Sequence, residues 1–397
     1  MRPSTTTSTK SLYVAFVLFF YLLIQHRTRS FRFLSSCGAP PATSAHRRWS
    51  PTRQQQQQQG VNEEIDETHG PEVVTWVVAP LCYKGPYPCL SLKFPHLEGA
   101  PVWDFVVDTG ANVNTIHAIL AQTYNLTRVQ GLPPMPLPAA GMGGSFAPGS
   151  LVVVPNAVLA NMPPEQGDIT FIHNLTVAAL PRASPPPTAG ILGSSLCAMF
   201  PSGVEFDWFG TDGDPPTFCF YFYEEGRNAT TTGMTQIPIQ QIMGLFVVTI
   251  TVNGKDIPAL LDTGSPITVL TQDAARQAGL EVAKDDADDD TPSSAPQLGN
   301  HHHVKVGGID GRPMEVMRSA STSVQVQVGN VSLGQGPVYI GSIPAFSILQ
   351  QVMPDISDTT TPSAILGLDF LRRAYRMMIV ASRHEMWLEE LDETKAP

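Results

Sequence analysis

The sequence predicts an all-β protein of two similar lobes, and three observations carry that expectation. A short apolar strand runs into an Asp-Thr-Gly loop twice, as Phe105-Val106-Val107-Asp108-Thr109-Gly110-Ala111 and as Ala259-Leu260-Leu261-Asp262-Thr263-Gly264-Ser265. Each copy is followed later by an apolar-apolar-Gly triplet, Ile191-Leu192-Gly193 and Ile365-Leu366-Gly367. The segments around them are short runs rich in branched and aromatic residues, punctuated by Gly and Pro, which is the pattern of strands and turns.

The copies form an internal repeat. Phe105 to Leu126 aligns without a gap on Ala259 to Leu280, so Asp108 falls on Asp262, Ile116 on Leu270 and Asn125 on Gly279. Both copies therefore end a post-loop helix on a residue type that tolerates the left-handed cap.

The chain has 397 residues, 42% of them apolar, enough for real cores and a prior of two or three domains. Residues 1–62 carry eight basic residues and no acidic one, which leaves 16 basic against 35 acidic residues, about −19, for the remainder. A body that acidic argues against nucleic acid and anionic membrane surfaces as partners. Within 1–62, residues 11–24 hold an apolar run short for a bilayer span, which suits a secretory signal or a short signal-anchor. Residues 25–62 are basic, rich in Ser, Ala and Pro and end near a glutamine tract, a composition that fits either a transit-like segment or a disordered linker. The expected route is entry into the secretory pathway. A plastid reached through a bipartite leader, a secreted or endomembrane lumen and a membrane-anchored form all remain open.

The first lobe is expected over 72–225, a linker over 226–234 and the second lobe over 235–391. Val73–Ala79, Leu90–Phe94 and Val102–Val107 read as strands, the last presenting Asp108, and Ala118–Tyr124 as a short helix. Leu151–Val154, Leu175–Leu180, Val204–Trp208 and Phe218–Phe222 supply further strands. In the second lobe, Leu245–Val252, Asn253-Gly254 and Ile257–Leu261 form a hairpin on the strongest short turn signal. Thr271 is placed to cap a helix that Gly279 ends. Met377–Val380 and Glu385–Leu388 are the closing strands.

Cys82 and Cys89 flank a turn, and Cys197 and Cys219 flank a hairpin; each pair is a disulfide in an oxidising compartment or two buried thiols in a reducing one. Asn125, Asn174, Asn228 and Asn330 head glycosylation triplets. The acidic run at Asp285, Asp286, Asp288, Asp289 and Asp290 and the histidines at His301, His302 and His303 lack the fixed spacing of a metal site and read as a solvated insertion. No metal or cofactor is expected.

The paired Asp-Thr-Gly loops and apolar-Gly triplets resemble the aspartic proteases, specifically the retropepsin-like branch, with two half-domains fused in one chain. The resemblance spans nearly everything from Val73 to Leu391. It implies a bilobal acid-protease fold of two closed, barrel-like lobes, each with a flap: Gly141, Gly143 and Gly144 in the first, Gly307 and Gly308 in the second. It implies a dyad of Asp108 and Asp262 sharing one proton across a pseudo-twofold axis, since two adjacent carboxylates do not both ionise cheaply. Thr109 and Thr263 are then expected to cross-brace the loops, and Gly110 and Gly264 to let the chain turn beneath each carboxylate. Leu192, Gly193, Leu366 and Gly367 would pack beside the loops. Ser265 and Asn112 are the supporting polar residues, whereas Pro266 stands where a second such group is usual. The first lobe also departs from the family at Ser194-Ser195-Leu196-Cys197, where an Asp-bearing continuation is expected. The implied activity is that of an aspartic endopeptidase acting on an extended polypeptide, as a monomer with an intramolecular dyad. The alternative is a peptide-binding protein that keeps the fold without the catalysis.

Overall fold

A computed structural model describes residues 76–129, 135–138, 146–162, 170–181, 187–210, 215–282, 303–307, 313–343, 346 and 361–390. The leader, the glycines Gly141, Gly143, Gly144 and Gly308, and the acidic run lie outside them. Among the described residues no helix is long and apolar enough to cross a membrane.

In the first lobe, β1 (Trp76–Pro80) is followed by β2 (Cys82–Lys84), β3 (Tyr87–Lys93), β4 (Val102–Asp108), β5 (Thr115–His117) and the helix α1 (Ala118–Thr123). Then come β6 (Thr127–Arg128), β7 (Met135–Pro138), β8 (Phe146–Leu159), β9 (Thr170–Leu180), β10 (Gly190–Gly193), the helix α2 (Ser194–Cys197), β11 (Val204–Asp207) and β12 (Thr217–Tyr221). The path β3-β4-β10-β5-β9-β8 closes on itself because β8 also pairs with β3. Alternation drives the closure: Leu90, Leu92, Phe105 and Val107 point inward to one shared core.

The segment expected as a linker begins as a packed helix, α3 (Glu224–Thr230). The second lobe then follows as β13 (Thr235–Pro238), β14 (Gln240–Ile242), β15 (Leu245–Val252), β16 (Lys255–Leu261), β17 (Val269–Leu270) and the helix α4 (Gln272–Gln277). It continues as β18 (His303–Gly307), β19 (Pro313–Arg318), β20 (Val324–Val328), β21 (Val331–Gly336), β22 (Tyr339–Gly341), β23 (Ala364–Leu366), the helix α5 (Leu368–Leu371), β24 (Ala374–Val380) and β25 (Glu385–Glu390). This lobe is the half-barrel form. β19 pairs with β22 while β20 pairs with β15, so the two short strands together take the part that continuous β8 plays in the first lobe. Ser319–Ser323 separates them, with the Ser319 hydroxyl donating to the Ser321 carbonyl instead of leaving a regular ladder.

Local signals behave as their chemistry demands. Asn253 and Gly254 both have positive φ in the β15–β16 turn. Thr271 accepts from the Ala274 N–H at 3.2 Å to cap α4, and Asn125 and Gly279 sit in the left-handed region after the two matching helices.

A third sheet, β1-β12-β11-β24-β25-β13, takes three strands from each lobe, in mirrored order about the β11–β24 junction. Beneath it lies a buried polar cluster. Arg376 reaches Glu205 at 3.4 Å and Glu389 at 2.5 Å, and the Tyr221 hydroxyl is bonded to Glu205 at 2.7 Å and Thr230 at 3.0 Å. Both lobes and the linker helix thus share one ionic knot.

Of the two readings of Cys197 and Cys219, disulfide or buried thiols, the structure has the thiols. Cys219 faces away from Phe218 and Phe220, which share the main core with Cys197, so the two sulfurs lie on opposite sides of β12. Cys82 and Cys89 are Cα partners across β2–β3 but remain thiols, the Cys82 sulfur turned also to Ser91 and the Cys89 sulfur to the Tyr87 carbonyl. Hydrogen bonding from Cys89 lowers the Cys82 thiol to about 6.

Candidate active site at the junction of the lobes

Each Asp-Thr-Gly loop is launched by a buried strand and pinned by a parallel neighbour. β10 runs parallel to β4 with Gly193 level with Asp108, and β23 runs parallel to β16 with Leu366 level with Leu261. The triplet glycines are required by proximity. A methyl group on Gly193 would strike the Ala111 and Val113 carbonyls, and one on Gly367 the Ile267 and Ser265 carbonyls. Leu192 and Leu366 fill the core beneath them.

The loops grip each other symmetrically. The Thr109 hydroxyl donates to the Leu261 carbonyl at 2.8 Å and accepts from the Thr263 N–H at 3.1 Å. The Thr263 hydroxyl donates to the Val107 carbonyl at 2.7 Å and accepts from the Thr109 N–H at 3.0 Å. All four bonds are buried and each crosses from one lobe to the other. Both hydroxyls thereby satisfy backbone groups that the tight turns would otherwise orphan.

This brings the two carboxyls together. The Gly110 N–H donates to Asp108 Oδ1 at 2.8 Å and the Gly264 N–H to Asp262 Oδ1 at 2.9 Å. A side chain on Gly110 would overlap the Asp262 carboxyl, and one on Gly264 the Asp108 carboxyl. Burial raises the pKa of both. The partner then acts in opposite senses: the hydrogen bond from Asp262 stabilises the Asp108 charge, whereas the Asp108 charge and hydrogen bond push Asp262 well above the carboxylate range. The two carboxyls therefore hold one proton between them, and the partner's charge favours placing it on Asp262.

The outer supports differ between lobes. In the first, Asn114 Oδ1 accepts from the Gly193 N–H at 2.9 Å and the Ser195 hydroxyl at 3.2 Å. In the second, the Thr268 hydroxyl accepts from the Gly367 N–H at 3.0 Å and donates to Asp369 Oδ1 at 2.6 Å, while the Thr268 N–H donates to Asp369 Oδ2 at 3.0 Å. Asn114 and Thr268 were not singled out from sequence, although the gapless repeat aligns them and so carried the signal, whereas Ser195 lies in the stretch read as departing from the Asp-bearing continuation that Asp369 supplies in the second lobe. Ser265 is buried, and its hydroxyl donates to the Ile267 carbonyl at 2.7 Å. Asn112 does not reach either carboxylate; its Nδ2 donates across the interface to the Met243 carbonyl at 3.4 Å, and its Oδ1 is buried without a partner.

Where the second flap is expected, β18 and β19 form a hairpin with Gly307 opposite Pro313. Among the described residues no group of His, Cys, Asp or Glu is arranged to hold a metal ion.

Residues 248–370 match the model of a family described as Aspartyl protease. No curated protein matches the chain. Among solved structures, the chain is similar to an aspartic proteinase from Irpex lacteus at 12% identity, with a TM-score of 0.47, over 81% of this chain and 99% of that one. It is similar to basic 7S globulin from soybean at 13% identity, with a TM-score of 0.44, over 80% of this chain and 95% of that one. A retropepsin-like aspartic protease from Rickettsia conorii is similar at 15% identity, with a TM-score of 0.23, over 40% of this chain and 90% of that one.

Proposed function

We propose, from a second lobe whose residues 248–370 match an aspartyl protease family model and a first lobe that repeats its Asp-Thr-Gly loop, that this chain is an aspartic endopeptidase with both halves of the dyad in one molecule. The observation that carries the reading is the reciprocal threonine grip, which sets the half-buried Asp108 carboxyl and the buried Asp262 carboxyl side by side, each with a raised pKa. A scaffold needs the grip but not the carboxyls. Burying two acids without a use is costly.

In this reading the Asp108 carboxylate takes a proton from a water molecule as its oxygen attacks the scissile carbonyl carbon, and Asp262 gives its proton to the carbonyl oxygen. Collapse of the resulting diol breaks the C–N bond. Asp108 delivers its proton to the leaving nitrogen, and Asp262 recovers one from the diol hydroxyl. The catalytic cycle returns both groups to their starting states. The polypeptide lies extended between the lobes, covered by the two flaps, and the leader carries the protein into the secretory route.

The test is cleavage of unfolded casein by the full chain between pH 3 and 8. The rate should be bell-shaped, falling on the acid side as Asp108 protonates and on the alkaline side as Asp262 ionises, with both limbs above the ordinary Asp value of about 3.9. Asp108→Asn and Asp262→Asn should each lower it by about 10²–10⁴-fold. A parent that cuts at no pH would make the chain a peptide-binding protein instead.

A further inference from the structure

Tyr87 stands on the catalytic face of the first lobe, and the chemistry above makes no use of it. β3 and β4 pair antiparallel with Cys89 opposite Val106, so the same register carried two residues further brings Tyr87 opposite Asp108. Facing residues on an antiparallel pair project to the same side. The packing agrees with the register. Tyr87 is half-buried against Cys89, Val106, Ala111 and Ile191, a small cluster separate from the main core that borders the Asp108 loop. Among the described residues nothing hydrogen-bonds its hydroxyl. Burial, then Asp108, then Asp262 raise its pKa, which keeps the phenol a proton donor.

The second lobe offers no such donor. There Val247 faces Leu260, so the residue opposite Asp262 is Leu245, which is buried in an aliphatic cluster with Val247, Leu260 and Ile365. The asymmetry bears on orientation. A polypeptide has a direction, whereas two matching loops offer nearly the same groups to a chain laid either way.

We propose that the Tyr87 hydroxyl is a substrate-binding donor: it hydrogen-bonds a main-chain carbonyl of the bound polypeptide on the first-lobe side of the dyad, and with Leu245 as its counterpart it fixes the direction in which substrate lies. The proposal rests on the reading of the cleft as a polypeptide site. One added hydrogen bond of ordinary net strength favours the correct orientation by roughly fivefold to tenfold.

The test separates this contact from catalysis. Fluorescein-labelled oxidised insulin B chain is bound to the full chain carrying Asp108→Asn, and its anisotropy is measured with and without Tyr87→Phe, which keeps the ring. Tyr87→Phe should weaken binding about fivefold to tenfold. Tyr87→Trp, which restores an N–H donor on an aromatic body, should recover part of the loss. In the protein with Asp108 intact, Tyr87→Phe should raise KM by a similar factor while kcat stays within about twofold and the pH profile is unmoved. Unchanged binding in Tyr87→Phe, an equal loss in Tyr87→Trp, or a fall in kcat at constant KM would overturn the proposal. A parent that binds the B chain without cutting it removes the endopeptidase reading but leaves the Tyr87 comparison decisive. A parent that does not bind it removes both.

Discussion

The two lobes reach the same Asp-Thr-Gly turn with different chemistry behind it. In the second lobe a half-buried carboxyl, Asp369, receives two bonds from Thr268 and so fixes the hydroxyl that accepts from Gly367. In the first lobe a neutral amide, Asn114, does the accepting directly, and Ser195 only adds a donor to it. The backbone outcome matches: Ser194 N–H donates to the Ala111 carbonyl at 2.7 Å, and Leu368 N–H to the Ser265 carbonyl at 2.8 Å. What the dyad demands is a satisfied turn, and either a neutral or a charged anchor supplies it. Where the lobes touch, the equivalence is stricter. Thr109 and Thr263 make the same two bonds in opposite directions, because each must satisfy the other loop's backbone.

Breaking the symmetric part should cost most. Thr109→Val and Thr263→Val each leave a buried N–H and a buried carbonyl without partners, so each should lower unfolding free energy by about 2–4 kcal/mol in urea titrations, with the two values alike. A large disparity would mean that one lobe dominates the grip. The asymmetric part should respond unequally. Asp369→Ala strands the Thr268 N–H and should cost about 2–3 kcal/mol, whereas Ser195→Ala removes one donor and should cost about 0.5–1 kcal/mol. The paired change Asn114→Thr with Ser195→Asp, which installs the second-lobe anchor in the first, should be milder than Ser195→Asp alone, where a carboxylate faces the Asn114 oxygen.

The smallest effect concerns the dyad itself. Both carboxyls have raised values, so folding favours their protonated forms. That stabilisation is complete below the unfolded Asp value of about 3.9 and is lost as pH rises through the raised values. Asp262→Asn removes the titration and should melt a few degrees above the parent at pH 7 while matching it at pH 3, measured by calorimetry. A mutant that melts lower at pH 7 would mean the pair is a net stabiliser.

The paired Asp-Thr-Gly loops were legible in the sequence because a strand, a turn and a helix cap recur in fixed register from Phe105 to Leu126 and from Ala259 to Leu280, while the parts given to the threonines and to Gly193 and Gly367 followed from the resemblance to the aspartic proteases. The Asn253-Gly254 turn and the Thr271 cap were legible for the same reason: each is a local backbone requirement that few residue types meet. The rest depended on partners distant in sequence. Glu224–Thr230 reads as a polar linker until Arg376, Glu205 and Tyr221 close around Thr230. Cys197 and Cys219 look like a pair by spacing, and only the side of β12 that each faces separates them. Tyr87 carries no motif; its place beside the Asp108 loop follows from carrying the β3–β4 register two residues beyond Cys89 and Val106.

The central claim, that one chain supplies both carboxyls to one site, is most directly tested by mixing. Asp108→Asn and Asp262→Asn proteins, each inactive alone, are unfolded separately and together, refolded, and assayed on unfolded casein. An intramolecular dyad joined by the four threonine bonds and the shared β11–β24 sheet predicts no recovery of activity in the mixture. Recovery of a substantial fraction of the parent's rate would show that lobes of different chains pair, and would contradict it.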